Sequence, residues 1–159
     1  MPQEQNNSDP RLHIVAITGI IEKDGKYLIL KRSERETAYP GFWAVPGGKL
    51  VRHEYENLPL TPNTDAWYEI VGRTLEKEIM EEAGLEIEGV RYLTDMIFVR
   101  PDNIPALVLS YYCRHKGGEV ALGKDMVDFA WITPDEGKNY QIIPGILDEI
   151  ISVDRLLKS

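Results

Sequence analysis

Three carboxylates, Glu78, Glu81 and Glu82, stand at i, i+3 and i+4 within the apolar, helix-forming run 77–85, and this cluster restricts the fold more than any other stretch. On a helix the three share a face. Like charges at that spacing weaken an isolated helix by roughly 0.2–0.5 kcal/mol per pair, so the cluster must lie in water or meet a compensating cation. At about 100° per residue, Trp67, Val71, Leu75, Ile79 and Ala83 form a drifting apolar stripe, the expected buried side. The three glutamates run along the edge of that stripe, whereas Arg73 and Lys77 fall near the opposite side. A merely solvated acidic face would lie opposite the core. Carboxylates beside a core, with no basic residue interleaved, look like hard oxygen ligands for Mg²⁺ or Mn²⁺.

Upstream, Gly41-Phe42-Trp43-Ala44-Val45 is a strand-like run that ends at the turn Pro46-Gly47-Gly48-Lys49. Together with Glu78-Ile79-Met80-Glu81-Glu82-Ala83-Gly84-Leu85, this turn resembles the Nudix box of the MutT-like Nudix hydrolases, whose pattern reads G-x5-E-x7-R-E-U-x-E-E-x-G-U with U apolar. Two features depart from it. Lys77 stands at the usual arginine, and the loop between Gly48 and the helix is longer than the pattern allows. Glu54 satisfies the spacing from Gly48 and Glu69 the spacing back from Lys77, so about fifteen residues are inserted between the two registers. Glu54 is the preferred equivalent and a supporting residue, since Glu69 would sit on the far side of the helix. The resemblance implies that Glu78, Glu81 and Glu82 ligate metal, that the carbonyl of Gly47 or Gly48 joins them, and that Lys77 takes the arginine's place among the catalytic residues. Which carboxylate acts as base varies among members.

The chain has 159 residues, 43% of them hydrophobic, which suits one compact domain over residues 11–159 behind a loose polar tail over 1–10. A formal net charge of −8 argues against a general nucleic-acid binder, which needs a basic stripe. Nucleotides stay within reach, because a bound divalent cation reverses the local sign. The single cysteine, Cys113, excludes an internal disulfide and reads as a small buried hydrophobe. No apolar run has membrane length and no signal peptide is recognisable, so a cytoplasmic protein is expected, a monomer or a homodimer.

The β-branched run 13–22, Asp24-Gly25 and Tyr27-Leu28-Ile29-Leu30 predict a hairpin. The stretch 55–64, with Pro59 and Pro62, cannot be one regular element. Thr64 or Asp65 is expected to cap the following helix and Gly84 to close it. Strands are predicted at 90–99 and 106–114 around the turn Pro101-Asp102-Asn103, with another turn at 116–118. A further strand alternates Val127, Phe129 and Trp131, and a C-terminal helix spans 143–158 with Pro144 in its first turn. The pattern is α+β, a mixed sheet sandwiched between helices, which agrees with the α/β/α sandwich the Nudix resemblance implies.

Hydrolysing a pyrophosphate linkage requires phosphate charge to be neutralised, a water positioned and the leaving phosphate stabilised. Arg32 ends a strand just before the Pro-Gly-Gly segment and offers a guanidinium fork suited to phosphate oxygens. Trp43 and Tyr39 are candidates to stack on a base. Pro101 lies sixteen residues after Leu85, where the family's ADP-ribose hydrolases carry proline. The expected function is metal-dependent hydrolysis of a small nucleotide, a nucleoside triphosphate first. The alternatives are ADP-ribose or another nucleotide sugar, or a non-catalytic module that senses a nucleotide.

Overall fold

A computed structural model describes residues 9–159, so all but the last two residues of the tail expected over 1–10 lie outside the described residues. The chain forms β1 (Ile14–Lys23), β2 (Lys26–Arg32), β3 (Trp43–Ala44), β4 (Gly47–Lys49), a 3₁₀ turn at Arg52–Glu54, α1 (Ile70–Ala83), β5 (Glu86–Val99), β6 (Pro105–Gly117), β7 (Met126–Ile132), a second 3₁₀ stretch at Pro134–Asn139, and α2 (Ile146–Lys158). The strands make one seven-stranded sheet in the order β3-β2-β1-β6-β5, with β4 also on β1 and β7 also on β2. β1 and β6 run parallel and the other pairs antiparallel, so the sheet is mixed.

Period-two alternation in β1 and β2 gives the sheet two apolar faces. Ile17, Ile21, Leu28 and Leu30 pack with Leu75, Ile79 and Ala83 of α1. Ile20, Tyr27 and Ile29 pack with Ile132 and with Ile150 and Val153 of α2. Each fully buried Leu or Ile contributes roughly 1.5–3 kcal/mol, so these two layers carry most of the stability. The α+β sandwich with one helix on each face is thus the observed fold. No helix among the described residues is long and apolar enough to cross a membrane.

Two helix starts differ from expectation. α1 begins at Ile70, and its N-cap is Glu69 in the left-handed region (φ 61°) with no side-chain cap bond. Thr64 is occupied elsewhere: its hydroxyl donates toward the carbonyls of Thr61 and Ala66 and accepts the N–H of Ala66. Trp67 belongs to the loop, where its indole N–H donates to the Leu58 carbonyl at 2.9 Å and its ring meets Tyr55 edge to face. Of the predicted stripe, Leu75, Ile79 and Ala83 are buried and Val71 packs against them. α2 begins at Ile146 because Ile143 N–H is engaged by the Trp43 carbonyl and Ile142 bridges to Trp43, so Pro144 precedes the helix. β5 starts at Glu86, before the predicted Val90, and β6 continues through the expected turn to Gly117. Val127 and Phe129 share the outward face of β7 and are exposed. The β1–β2 hairpin, the turn after Val99 and the C-cap Gly84 (φ 69°) fall where the pattern put them.

Candidate active site

The glycine turn and α1 meet because β4 pairs with β1, Thr18 opposite Gly47 and Ile17 opposite Gly48, while Ile17 also contacts the buried stripe of α1. The approach is too close for side chains. A Cβ on Gly48 would collide with the Glu78 carboxylate, and one on Gly47 with the Ile17 carbonyl and Thr18. Glycine at both positions lets the backbone lie directly against the helix carboxylates.

Glu82 is the most perturbed group of this cluster. Burial, then the charge of Glu78, raises its carboxyl to about 8, against the Gly47 backbone N–H that it accepts and the charge of Arg32. Its Oε2 is buried without a hydrogen-bond partner. Glu78 is likewise shifted upward, by burial and then by Glu81. Glu81 is more exposed and lies 3.1 Å from Lys77 Nζ, which also reaches Glu54 at 3.2 Å. Lys77 is accordingly held more basic than usual, first by Glu81. Of the two candidates for the displaced box glutamate, Glu54 is the one that touches Lys77, and it sits on the 3₁₀ turn after β4. Glu69 stands at the N-cap, about two turns before Lys77.

Arg32 spends its side chain on its own loop, donating to the Ala38 carbonyl at 3.1 Å and to Glu36 at 3.3 Å, yet its charge reaches Glu82. Trp43 packs within the α2-side layer, edge to face on Tyr140. Tyr39 is exposed in the 33–42 loop, its ring edge to face with Phe42. One residue escaped the sequence reading. Asp125 precedes β7, its carbonyl accepts the Ser33 N–H, and its charge adds to the upward shift of Glu82. The same segment ends α1: Ala121 and Gly123 donate to the carbonyls of Ala83 and Glu82, both at 2.9 Å. No local motif marks Asp125; only the draping of 118–125 over the helix end brings it in.

Among the described residues no three acidic, His or Cys side chains converge at ligand spacing. Glu81 turns toward Lys77 and Glu82 toward Gly47. The donor set nevertheless fits a hard divalent cation: an orphaned buried carboxylate oxygen, a second carboxylate against a glycine that leaves it room, and mutual repulsion that burial leaves unrelieved.

Residues 10–148 match the sequence profile described as NUDIX domain. A MutT-like protein of Streptomyces ambofaciens is 31% identical over 137 residues, covering 86% of this chain and 74% of that protein. Nucleoside triphosphatase NudI of Escherichia coli K12 is 25% identical over 133 residues, covering 77% of this chain and 84% of its own. Among solved structures, the NUDIX domain of Shewanella oneidensis NrtR, crystallised with ADP ribose, superposes with a TM-score of 0.70 at 14% identity, over 92% of this chain and 90% of that one.

Proposed function

We propose that this chain, which belongs to the NUDIX family and is a pyrophosphohydrolase of nucleoside diphosphate-linked compounds, acts on a small nucleotide, a nucleoside triphosphate first. The observation that carries this reading is the buried, unpartnered Glu82 oxygen beside Glu78 and the glycine turn. A group of that kind costs about 1–3 kcal/mol or more to leave unsatisfied, so it is kept for a ligand. The name of the triphosphatase relative supports the substrate class.

Glu78 and Glu82, with the Gly48 carbonyl and with Glu81 once it leaves Lys77, would hold Mg²⁺ or Mn²⁺. Such an ion supplies charge neutralisation on the phosphates and acidifies a bound water. The chain's own residues do the rest. Lys77, clamped between Glu54 and Glu81, fixes the start of the inserted loop to the helix and gives Glu81 an alternative partner. The N–H of Gly47 holds Glu82 in place. Arg32 brings positive charge to the phosphate side of the turn. Asp125, whose charge reaches Glu82, or whichever helix carboxylate stays free would accept the attacking water's proton.

A screen of nucleoside triphosphates, ADP-ribose and nucleotide sugars with Mg²⁺ and with EDTA tests the reading. Turnover of a triphosphate with Mg²⁺ alone is expected. Turnover only of ADP-ribose selects the second reading, which the NrtR neighbour's bound ADP ribose favours. Binding without turnover of any compound would leave a sensing module and overturn the proposal.

A further inference from the structure

The two halves of β5 are built differently. From Glu86 to Tyr92 the strand carries Glu86, Glu88 and Arg91, and its pairing with β6 slips at Glu86/Ile87, Glu88/Arg91 and Tyr92/Thr94. Charges and bulges of this kind keep an outer strand from pairing with other chains. From Thr94 to Val99 there is no slip, and the side chains read Thr-Asp-Met-Ile-Phe-Val. β5 is the last strand on its side of the sheet, so this straight half has no strand opposite it among the described residues.

Which backbone groups face outward follows from the hairpin. The Arg100 N–H donates to the Ile104 carbonyl and the Arg100 carbonyl accepts from the Asn103 N–H, so both backbone groups of Arg100 turn toward β6. Successive residues alternate along an antiparallel ladder, so Thr94, Met96 and Phe98 also bond to β6, while Asp95, Ile97 and Val99 turn N–H and C=O outward. Pro105 lies opposite Val99 and has no N–H to give, as this phase requires. Side chains are exposed on both faces. Met96 (45%) and Phe98 (42%) share the α2 side with Val108 and Ala106. Ile97 (59%) and Val99 (62%) share the α1 side, Ile97 on one rung with Leu107 and Val15. None of these residues belongs to the carboxylate site.

We propose that this half-strand is a contact surface for a second copy of the chain: two β5 strands pair antiparallel about a two-fold axis at Ile97 and join two seven-stranded sheets into one. The inference is independent of the substrate read above. In this register Ile97 faces its own counterpart, Asp95 faces Val99 of the second copy, and Met96 faces its Phe98. The Ile97–Ile97 and Asp95–Val99 pairs each exchange two hydrogen bonds, and the Met96–Phe98 pairs take the closer, non-bonded positions, where sulfur meets ring. Neighbouring registers are worse. A shift of one residue sets outward backbone groups against inward ones. A shift of two toward the hairpin pairs Asp95 with Pro101, which has no N–H, and two the other way brings in the bulged Leu93. Charge permits the contact as well. The one charged side chain of the segment, Asp95, accepts from the Tyr92 hydroxyl and meets Val99, so two chains of net charge −8 approach where no like charges face each other. Stable complexes bury about 800 Å² per partner, more than one half-strand supplies, so the dimer is weak, with a Kd on the order of 10–100 µM.

Analytical ultracentrifugation of the full chain from about 5 to 500 µM should show the average mass rising from that of one chain toward that of two. Over the same range hydrogen exchange at the amides of Asp95, Ile97 and Val99 should slow several-fold, while Met96 and Phe98, already bonded to β6, change little. Ile97→Lys sets two cations face to face at an exposed position and should raise Kd by about tenfold or more. Val127→Lys makes the same charge change on the exposed side of β7 and should leave Kd as it is. A chain that stays monomeric throughout overturns the inference, as does a dimer that survives Ile97→Lys or is lost equally in Val127→Lys. If Ile97→Lys does not fold, the wild-type exchange pattern decides: slowing with concentration at Asp95, Ile97 and Val99 supports the contact, and its absence overturns it.

Discussion

α1 and α2 occupy equivalent places on opposite faces of one sheet, yet they obey different electrostatic rules. α2 follows the helix dipole, with Asp148 and Glu149 in its first turn and Arg155 and Lys158 in its last. Lys158 further pairs with Asp154 at 2.8 Å, and Asp154 accepts from Tyr27 at 2.9 Å. α1 has no acidic residue in its first turn and no basic residue in its last, where it carries Glu81 and Glu82 instead, against the dipole. Neither helix has a side-chain bond at its N-cap, so the charges alone distinguish them. What holds α1 is the burial of Leu75, Ile79 and Ala83 and the donation of Ala121 and Gly123 to its last carbonyls. Local rules broken at one helix and kept at its counterpart agree with the site proposed on the first.

The strongest way to break this contrast is to remove the misplaced charges. Glu81→Gln and Glu82→Gln should each lower kcat by at least about 100-fold and weaken Mg²⁺ binding, since either change deletes a charge with little change of shape. Activity titrated against Mg²⁺ reads both effects, and wild-type behaviour in both variants would take α1 out of the site.

Next in size is stability without metal. The Glu82 carboxyl has a pKa of about 8 in the folded chain against 4.5 in the unfolded one, so between those values the folded state binds more protons. Stability from this group is complete below about pH 4.5 and is lost as pH rises through 8. Denaturant midpoints in EDTA should therefore fall from pH 5 to pH 8 by an amount worth a few kcal/mol, because each tenfold gain in proton affinity is worth roughly 1.4 kcal/mol. Glu82→Gln should flatten that trend and be the more stable protein at pH 8. An equal pH slope in both would contradict the frustrated-helix reading. No such gain is expected on α2, where Asp148→Asn should cost about 0.3–1 kcal/mol through the dipole alone.

Lys77 sharpens the same comparison at smaller scale. If it anchors Glu54 and Glu81, Lys77→Arg should equal or exceed wild-type activity, and Lys77→Ala should lose about tenfold. The reverse order of the two variants would show the register of the box to be wrong.

The smallest effect concerns the insertion. Its interior is stitched by Trp67 to Leu58, Tyr68 to Thr61 and Thr64 to Ala66, with Arg52 paired to Glu56 at 2.8 Å. Leu58, Leu60 and Tyr68 stay exposed on it. Replacing residues 56–63 by a short Gly-Ser linker should raise KM a few-fold, or change the preferred substrate, and leave Mg²⁺ affinity nearly unchanged. Kinetics and oligomeric state that both match wild type would leave the loop without a role.

What could be read from the sequence follows how local each determinant is. The buried side of α1, its glycine cap and the Asp24-Gly25 hairpin depend on neighbours a few residues away, and all three were visible as periodicity or turn chemistry. The start of α1 was not. Thr64 has the chemistry of a cap, but Thr61 and Ala66 compete for its hydroxyl, and Trp67 fits the helical stripe while its indole is committed to Leu58. Asp125 was invisible because its relation to Glu82 exists only after 118–125 has wrapped the helix end. Burial of Cys113, by contrast, needed only its place in a strand. Its thiol is pushed up to about 12 by that burial and points at the Ile20 carbonyl.

The parallel pairing of β1 with β6 carries a consequence for how the chain reaches this structure. Thr18 and Ser110 are 92 residues apart, and the whole β1–β6 ladder spans a similar distance. Closing so long a loop costs entropy before any rung rewards it, which places such topologies among slower folders, on the millisecond-to-second scale. During synthesis β1, β2 and α1 emerge first, and β1 waits with an apolar edge open until residues 106–114 follow. The nascent chain thus has its carboxylate helix well before it has a finished sheet, and the period between the two is when it is most exposed to aggregation.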